Sequence, residues 1–491
     1  MALPRSIATL ANIGLGFYMR LILHTTAQFV LFSALGLAFL TPPSTGVAQT
    51  ATVNAANVHQ TMDGFGGQTW LYADSLTGSN ADLFFSPTAG IGLQIVRTMN
   101  TWDSGIPDLV TLQSAVARGA KVELGLQSPP CNLKHSAVDL GESCSQSGDS
   151  GIQPTAFYDG AAGSNGNCFA NGLSLDGTSG AYQQYATYII NLINTYQNSP
   201  NNVPIAYLDV QNESSNATSS LGACLWMDGG QFDDFVKNYL GPALSAAGLH
   251  PNVMLGSLCC WGGDVTTTCL SDSSCAQYVG ISANHGYPYP ASASAYTLGT
   301  TGGRHLWMSE TSDKGGWDAS MASALGMAVN MHQFLTTASV SAYEWWELAY
   351  DSSSGNFGLT DQSYNPTKRF WATGNWSKFV RPGWVRVDAT ASPQSGVYVT
   401  AFENQSNGSF AIVAINSNGN SVSQPFSLSG VLASSVTPYI TDANNNLASQ
   451  SSVSVSSGSF TSTLTASSVT TFVALGAGPE PPSNLSGTVV Q

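Results

Sequence analysis

The chain has 491 residues, which is more than one compact domain usually holds, so its length predicts two domains. Only 9% of the residues are charged, and 14 lysines and arginines against 29 acidic residues give a net charge of −15. A protein with so few basic residues binds nucleic acid or an anionic membrane surface poorly, so neither is expected as a partner.

The first 48 residues have the layout of a secretory signal peptide. Arg5 and Arg20 precede an apolar stretch at 29–40, and the small residues at 46–48 offer a cleavage site. The apolar stretch is too short to span a bilayer comfortably, with an uncleaved membrane anchor as the alternative. We therefore expect a secreted, extracellular protein.

Eight cysteines follow this segment, and an even number in an exported chain predicts disulfide bonds. Their spacing fits no zinc pattern, and nothing else in the sequence indicates a metal or another cofactor. The pairing stays open at this point. The cysteines are Cys131, Cys144, Cys168, Cys224, Cys259, Cys260, Cys269 and Cys275.

Between residues 60 and 381, strand-like segments alternate with helix-like ones, of which 181–196, 231–247 and 321–336 are the clearest helices. Eight strands interleaved with helices predict an α/β fold, the (β/α)8 barrel. A Gly/Ser/Asn-rich segment at 130–180 is expected to form a disulfide-tied loop on the active face. The candidate strands are 62–66, 93–99, 121–127, 205–211, 253–258, 278–284, 305–309 and 340–346.

Beyond Pro382 the pattern changes to short alternating strands separated by Asn/Gly/Ser turns, at 397–403, 410–416, 436–441 and 469–475. This pattern predicts a small antiparallel β-sandwich over 382–475, and the strand-like residues 49–59 are expected to join it. Residues 476–491 are rich in Gly and Pro at their start and are interpreted as a linker or tail.

Two apolar segments, 208–213 and 305–310, each end at a glutamate where turn-forming residues begin. In a barrel the chemistry lies at the C-terminal ends of the strands, and the fourth and seventh strands face each other across its mouth. Glu213 and Glu310 are therefore predicted to form the carboxyl pair that cleaves a glycosidic bond. Asn212 offers an amide to a sugar hydroxyl beside them.

The ordered motifs of the chain resemble glycoside hydrolase family 30, a family of retaining (β/α)8 hydrolases, and within it the bacterial xylanases. The resemblance covers most of the chain, from 53 to 475, and implies Glu213 as the acid/base and Glu310 as the nucleophile. It also implies a barrel fused to a β side domain. The matching segments are 63–67 (DGFGG), 210–213 (VQNE), 306–310 (LWMSE), 342–346 (AYEWW), 376–386 (WSKFVRPGWVR) and 468–473 (SVTTFV).

Further residues are expected to bind substrate. Arg97, at the end of the second strand, resembles the family arginine on the nucleophile side of the site, with a structural ion pair as its alternative role. His285 and Tyr287 follow the sixth strand and are placed to contact sugar or nucleophile. Trp346 is preferred to its neighbour Trp345 as a stacking platform, because successive strand residues point to opposite faces. Trp102 and Trp261 either line the cleft or pack within loops.

The sequence predicts a monomer that hydrolyses a plant cell-wall polysaccharide of the xylan type. Xylanases that require a glucuronic acid branch carry an arginine and a tyrosine after the eighth strand, whereas this chain has Glu347 and Asp351 there and no arginine. Repulsion of a carboxylate by these residues predicts a xylanase that does not depend on the branch. The alternatives are another β-glycosidase of the family, acting on β-1,6-glucan, β-1,6-galactan or a small exo substrate, or a non-catalytic carbohydrate-binding protein.

Overall fold

The computed structural model describes residues 49–69, 73–100, 106, 108–127, 181–214, 228–353, 355–474 and 476. The expected signal segment, the loop at 130–180, the tail beyond 476 and Trp102 lie outside these residues. Across the described part of the chain, no helix combines the length and the apolar character that crossing a membrane requires.

Within the described residues, eight parallel strands close into a barrel in chain order, which confirms the predicted fold class. The ends of these strands differ from the predicted ones by at most three residues. Strand β1 (Ala51–Thr61) precedes the barrel. The barrel strands are β2 (Gly64–Gln68), β3 (Ile95–Asn100), β4 (Lys121–Leu126), β5 (Ile205–Asp209), β6 (Asn252–Cys260), β7 (Val279–Tyr287), β8 (His305–Glu310) and β9 (Ala342–Trp345).

The strands have two buried faces, because alternate side chains point into the barrel or towards the surrounding helices. The outer faces pack on the helices in one large apolar core. The inner faces form a smaller apolar layer that closes the lower part of the barrel. The residues of this inner layer are Ile95, Tyr207, Met254, Ile281, Ala283, Trp307 and Ala342.

The three predicted helices are present, and two of them contain a π turn. Helix α4 is continued by the π turn Val236–Leu240 and by α5, and helix α9 by the π turn Phe334–Ala338. The described helices are α1 (Gly78–Phe85), α2 (Leu109–Val116), α3 (Ala181–Gln197), α4 (Gly229–Phe235), α5 (Gly241–Ala246), α6 (Thr267–Ser271), α7 (Ser273–Ala276), α8 (Thr297–Thr300), α9 (Met321–Gln333) and α10 (Lys368–Ser377).

The remaining strands form a largely antiparallel sheet around a core of its own. Strand β1 lies inside this sheet, antiparallel to β12 (Val385–Ala389) and parallel to β15 (Val422–Ser429), so the sheet draws on both ends of the described chain. Two short strands, β10 (Ala349–Tyr350) and β11 (Thr360–Asp361), pair in the loop after β9. The sheet strands are β12 (Val385–Ala389), β13 (Val397–Asn404), β14 (Ser409–Asn416), β15 (Val422–Ser429), β16 (Ser435–Thr441), β17 (Ala448–Ser449), β18 (Val453–Ser454), β19 (Ser459–Leu464) and β20 (Ser468–Ala474).

Two of the eight cysteines, Cys269 and Cys275, have their sulfur atoms at disulfide-bonding distance. They lie in α6 and α7, two short helices that lead into β7, so a bond between them would restrain this connection. Four others, Cys131, Cys144, Cys168 and Cys224, lie outside the described residues.

Candidate active site

The two glutamates singled out in the sequence meet at the C-terminal mouth of the barrel. Glu310 is the last residue of β8, whereas Glu213 follows the end of β5 by four residues in a left-handed turn with φ 44°. The amide of Glu213 donates a 2.9 Å hydrogen bond to the carbonyl of Ser257, which ties the turn to β6. One carboxyl oxygen of Glu213 and one of Glu310 lie within 4.8 Å of each other.

Arg97 lies directly beneath this pair and is only 1% exposed. Its Nη1 donates to Glu310 Oε2 at 2.5 Å, and its Nη2 donates to Asn212 Oδ1 at 2.7 Å. Its Nε lies 2.9 Å from Glu123 Oε1, and its Nη2 also lies 3.3 Å from Asp209 Oδ2. The guanidinium of Arg97 therefore connects Glu310, the turn that carries Glu213, and two further buried carboxyl groups.

His285 and Tyr287, both on β7, contact the two glutamates from the other side. His285 Nδ1 lies 2.9 Å from Glu213 Oε1 and 3.6 Å from Glu310 Oε1. The Tyr287 hydroxyl donates to Glu310 Oε1 at 3.1 Å. Burial lowers the pKa of His285, whereas the charge of Glu310 and the hydrogen bond with Glu213 raise it. Together these two contacts outweigh burial, so the pKa of His285 lies above its ordinary value.

Asn212 accepts a hydrogen bond from Arg97 through its side-chain oxygen. Its amide NH2 group therefore remains for the sugar hydroxyl expected from the sequence, which stays a prediction. The bond with Arg97 also holds the backbone turn that carries Glu213, because Asn212 is the residue directly before it.

The two adjacent tryptophans at the end of the last barrel strand point to different sides. Trp345 is 2% exposed, donates its ring N–H to the carbonyl of Phe357 at 2.5 Å and packs edge-on against Tyr289. Trp346 is half-buried, which leaves part of its ring accessible. Trp261 packs edge-on against Phe334 with ring centroids 4.7 Å apart, a packing contact with the outer helices.

Glu347 is fully buried, at 0% exposure, and burial together with the charges of Glu310 and Asp74 raises its pKa well above the ordinary range. Burial therefore favours the protonated, neutral form of this carboxyl group, which weakens the repulsion expected from Glu347. Asp351 and the lack of an arginine on this stretch remain as the basis of the expectation.

Glu123, Asp209 and Glu344 were not identified from the sequence, although each lies inside the barrel at an exposure of 1% or less. Their position in the strands is the signal that could have identified them. An acidic side chain that points into the barrel is buried and therefore needs a partner. The sequence does not reveal which positions point inward until the strand register is known.

The cluster of Glu213, His285 and Glu310 contains the donor atoms of a metal site. However, Arg97 and Tyr287 already donate to both oxygens of Glu310, and a buried guanidinium 2.5 Å away repels a cation. The arrangement suits two carboxyl groups in different protonation states: an anion held by Arg97 and Tyr287, and a proton carrier beside it.

Comparison with known proteins places the chain among glycoside hydrolases. No protein-family model matches the chain. The chain is 27% identical over 460 residues to glucuronoxylanase XynC of Bacillus subtilis, which covers 90% of this chain and 96% of XynC. The glycoside hydrolase family 30 subfamily 8 xylanase Xyn30A of Clostridium acetobutylicum superposes with a TM-score of 0.70 and 28% identity, over 87% of this chain and 100% of that one.

A family 30 endoxylanase of Clostridium papyrosolvens C71 superposes with a TM-score of 0.67 and 26% identity, again over 87% of this chain and 100% of the other. These similarities cover most of the chain. The chain is a glycoside hydrolase, and over most of its length it is similar to the bacterial xylanases of glycoside hydrolase family 30.

Proposed function

We propose that the protein is a retaining endo-β-1,4-xylanase in which Glu310 is the nucleophile and Glu213 the acid/base. The observation that carries the proposal is the approach of the two carboxyl groups to within 4.8 Å between oxygens, on opposite sides of the barrel mouth. Retaining enzymes hold their carboxyl groups about 5–5.5 Å apart, whereas inverting enzymes leave about 6.5–9.5 Å for a water molecule.

In the first step, Glu310 attacks the anomeric carbon while Glu213 transfers its proton to the glycosidic oxygen, so that the glycosidic bond breaks and the leaving sugar departs. In the second step, Glu213 removes a proton from water, the resulting hydroxide bonds to the anomeric carbon, and the ester to Glu310 breaks. Arg97 and Tyr287 stabilise the anionic form of Glu310 that begins and ends the cycle.

The substrate assignment rests on the relatives, whose names describe xylanases and glucuronoxylanases. We propose that this chain differs from the glucuronoxylanases by cutting xylan without a glucuronic acid branch. Residues 347–353 contain no cation, and Glu347 is fully buried, so this stretch offers no positively charged partner to a carboxylate. The half-buried Trp346 is the candidate platform for a xylose ring.

We further propose that the protein is secreted as a monomer after removal of residues 1–48. The support is the arrangement of charged, apolar and small residues in that segment, together with a cysteine pair at bonding distance. A polysaccharide too large to enter a cell requires such an enzyme to act outside it.

The test is product analysis on glucuronoxylan, arabinoxylan, unbranched xylo-oligosaccharides, β-1,6-glucan and β-1,6-galactan, with the Glu310→Gln protein as the blank. We expect internal cleavage of the unbranched xylo-oligosaccharides. Cleavage of glucuronoxylan alone would contradict branch independence, and cleavage of a 1,6-linked glucan or galactan alone would contradict the xylanase assignment.

A further inference from the structure

A layer of ionisable side chains lies inside the barrel between the apolar lower layer and the catalytic mouth. Arg97, Asp209 and Glu344 come from the second, fourth and eighth barrel strands, and Glu123 from the third. All four are at most 1% exposed. Barrel layers of this kind are usually filled by branched apolar side chains, so this layer requires an electrostatic explanation.

The charges in this layer do not balance if every group has its ordinary protonation state. Arg97 is in direct contact with Glu123, Asp209 and Glu310, and the charge of Glu344 also acts on it. The second cation in reach is His285, which contacts the catalytic glutamates. Five buried carboxylates, counting the two catalytic glutamates, against two cations leave uncompensated negative charge in a buried region, so protonation of a carboxyl group is favoured.

The hydrogen-bond geometry identifies the carboxyl groups that hold the proton. Glu123 and Glu344 lie within hydrogen-bonding reach of each other. Apart from the Arg97 contact to Glu123 Oε1, no N–H or O–H among the described residues donates to any of their four buried oxygens. A proton held between the two carboxyl groups is the hydrogen bond that this arrangement allows.

We propose that Glu123 and Glu344 share one proton and act as a positioning pair for Arg97, and through Arg97 for the nucleophile; this role rests on the proposed function. With one proton, the pair has a single negative charge, which holds the Nε side of Arg97 while its Nη1 holds Glu310. With two negative charges, the pair would draw Arg97 towards itself and weaken the hold on Glu310.

The surroundings of the pair agree with a proton that is retained around neutral pH. Burial is the largest cause that raises the pKa of both carboxyl groups. The charge of Glu123 and the hydrogen bond with it raise the pKa of Glu344 further, whereas the same hydrogen bond lowers the pKa of Glu123. The groups that face the pair are Arg97 on β3, Asp209 and Tyr207 on β5 and His285 on β7. Loss of the proton on raising the pH should therefore give an alkaline fall in kcat.

The test compares Glu344→Gln with Glu344→Leu. Glutamine reproduces the protonated acid, because its amide donates to Glu123 and cannot lose that proton. We expect kcat within about threefold of the native protein for Glu344→Gln, with the alkaline limb moved to higher pH. Glu344→Leu leaves Glu123 without a hydrogen bond, and we expect a loss of kcat of at least about tenfold at nearly unchanged KM.

Infrared difference spectra in H2O and D2O supply a readout that needs no turnover. We expect a protonated-carboxyl C=O band at pH 8 that is present in the native and Glu310→Gln proteins and lost in Glu344→Gln, with Glu347→Gln identifying the band of the other buried acid. If the native protein shows this band but cleaves none of the substrates, the result would contradict the proposed function but not the shared proton. Absence of the band, or equal kcat and pH profiles for Glu344→Gln and Glu344→Leu, would overturn the positioning pair.

Discussion

At the residue scale, Arg97 determines the electrostatics of the site. Its five N–H groups contact two different sides of the barrel, the nucleophile candidate on one and the buried carboxyl groups on the other. The desolvation of these charges is costly, and it is offset here by paired, well-directed contacts. We therefore expect Arg97, buried beneath the proposed catalytic pair, to affect the rate more than an exposed arginine in an ion pair does.

Replacing Arg97 by lysine should show this effect, because an ammonium group cannot contact Glu310, Asn212 and Glu123 at once. We expect kcat to fall by about 10²–10³-fold. The free energy of unfolding should fall by about 3–5 kcal/mol, since buried carboxylates lose their partner. Enzyme kinetics and chemical denaturation measure the two effects.

The matched control is Arg118→Lys, because Arg118 also forms an ion pair, with Asp82 at 2.7 Å, but at the surface. This change should cost about 1 kcal/mol or less and leave kcat unaltered. Equal effects at Arg97 and Arg118 would refute a central role of the Arg97 guanidinium.

His285 makes the stability of the protein depend on pH in a defined direction. Its folded-state pKa is raised by the two glutamates against the effect of burial. The stabilisation from the charged imidazole is therefore fully present below the unfolded pKa of about 6.5 and is lost as the pH rises through the folded pKa. The melting temperatures of the native and His285→Gln proteins should differ most at about pH 6 and approach each other above neutrality. A difference that grows with pH would show that His285 is neutral in the folded protein.

At the element scale, the position of Glu213 depends on a backbone that two strands hold in place. Glu213 has φ 44°, and it bonds the carbonyl of Ser257, itself at φ 43° beside Gly256 at φ 117°. Such left-handed residues are costly and are retained where the surrounding structure requires them. The close pairing of β6 with β7 therefore helps to place Glu213, the proposed acid/base.

Gly256→Ala should disturb this arrangement, because a Cβ at this position would lie 2.0 Å from the carbonyl oxygen of Ala283. We expect a loss of about 2–5 kcal/mol in the free energy of unfolding, and a lower kcat in the fraction that folds. Gly262→Ala is the control, since Gly262 also has a positive φ, of 90°, but has no atom within 4 Å of the added Cβ. It should cost about 1–2 kcal/mol. Similar losses for the two variants would show that the clash is relieved locally.

The sequence predicted the barrel strands well, because apolar runs that end at turn residues identify buried parallel strands even when their ends are uncertain. Glu310 and Tyr287 end their strands and Glu213 follows one, whereas Arg97 and His285 lie within β3 and β7 rather than at or after their ends as expected. All five meet near the mouth. Residues within the strands were harder to interpret, since an inward and an outward position differ by one residue. This explains why Glu123, Asp209 and Glu344 were missed. The two π turns also have no composition signal, because a single inserted residue leaves the helical pattern almost intact.

At the scale of the whole molecule, the side sheet is connected to the barrel by specific polar contacts as well as apolar packing. Asn375, on α10, donates to Thr471 Oγ1 at 2.9 Å and to the carbonyl of Tyr439 at 3.0 Å. Gln60, on the sheet strand β1, donates to the carbonyls of Leu335 at 2.8 Å and Val340 at 3.0 Å, just before β9. These contacts join the sheet to the barrel at two separate places.

The central claim is that Glu310 forms a covalent bond to the substrate while Glu213 supplies the proton. The most direct measurement is peptide mass spectrometry after reaction with a 2-deoxy-2-fluoro-β-xylobioside that carries a good leaving group, since the fluorine slows hydrolysis of the intermediate. We predict a single xylobiosyl label on Glu310. In the Glu213→Gln protein, a second reagent with a poor leaving group should form this label slowly or not at all, because no acid protonates the departing oxygen. A label on another residue, or full turnover without any label and with inversion at the anomeric carbon, would contradict the account.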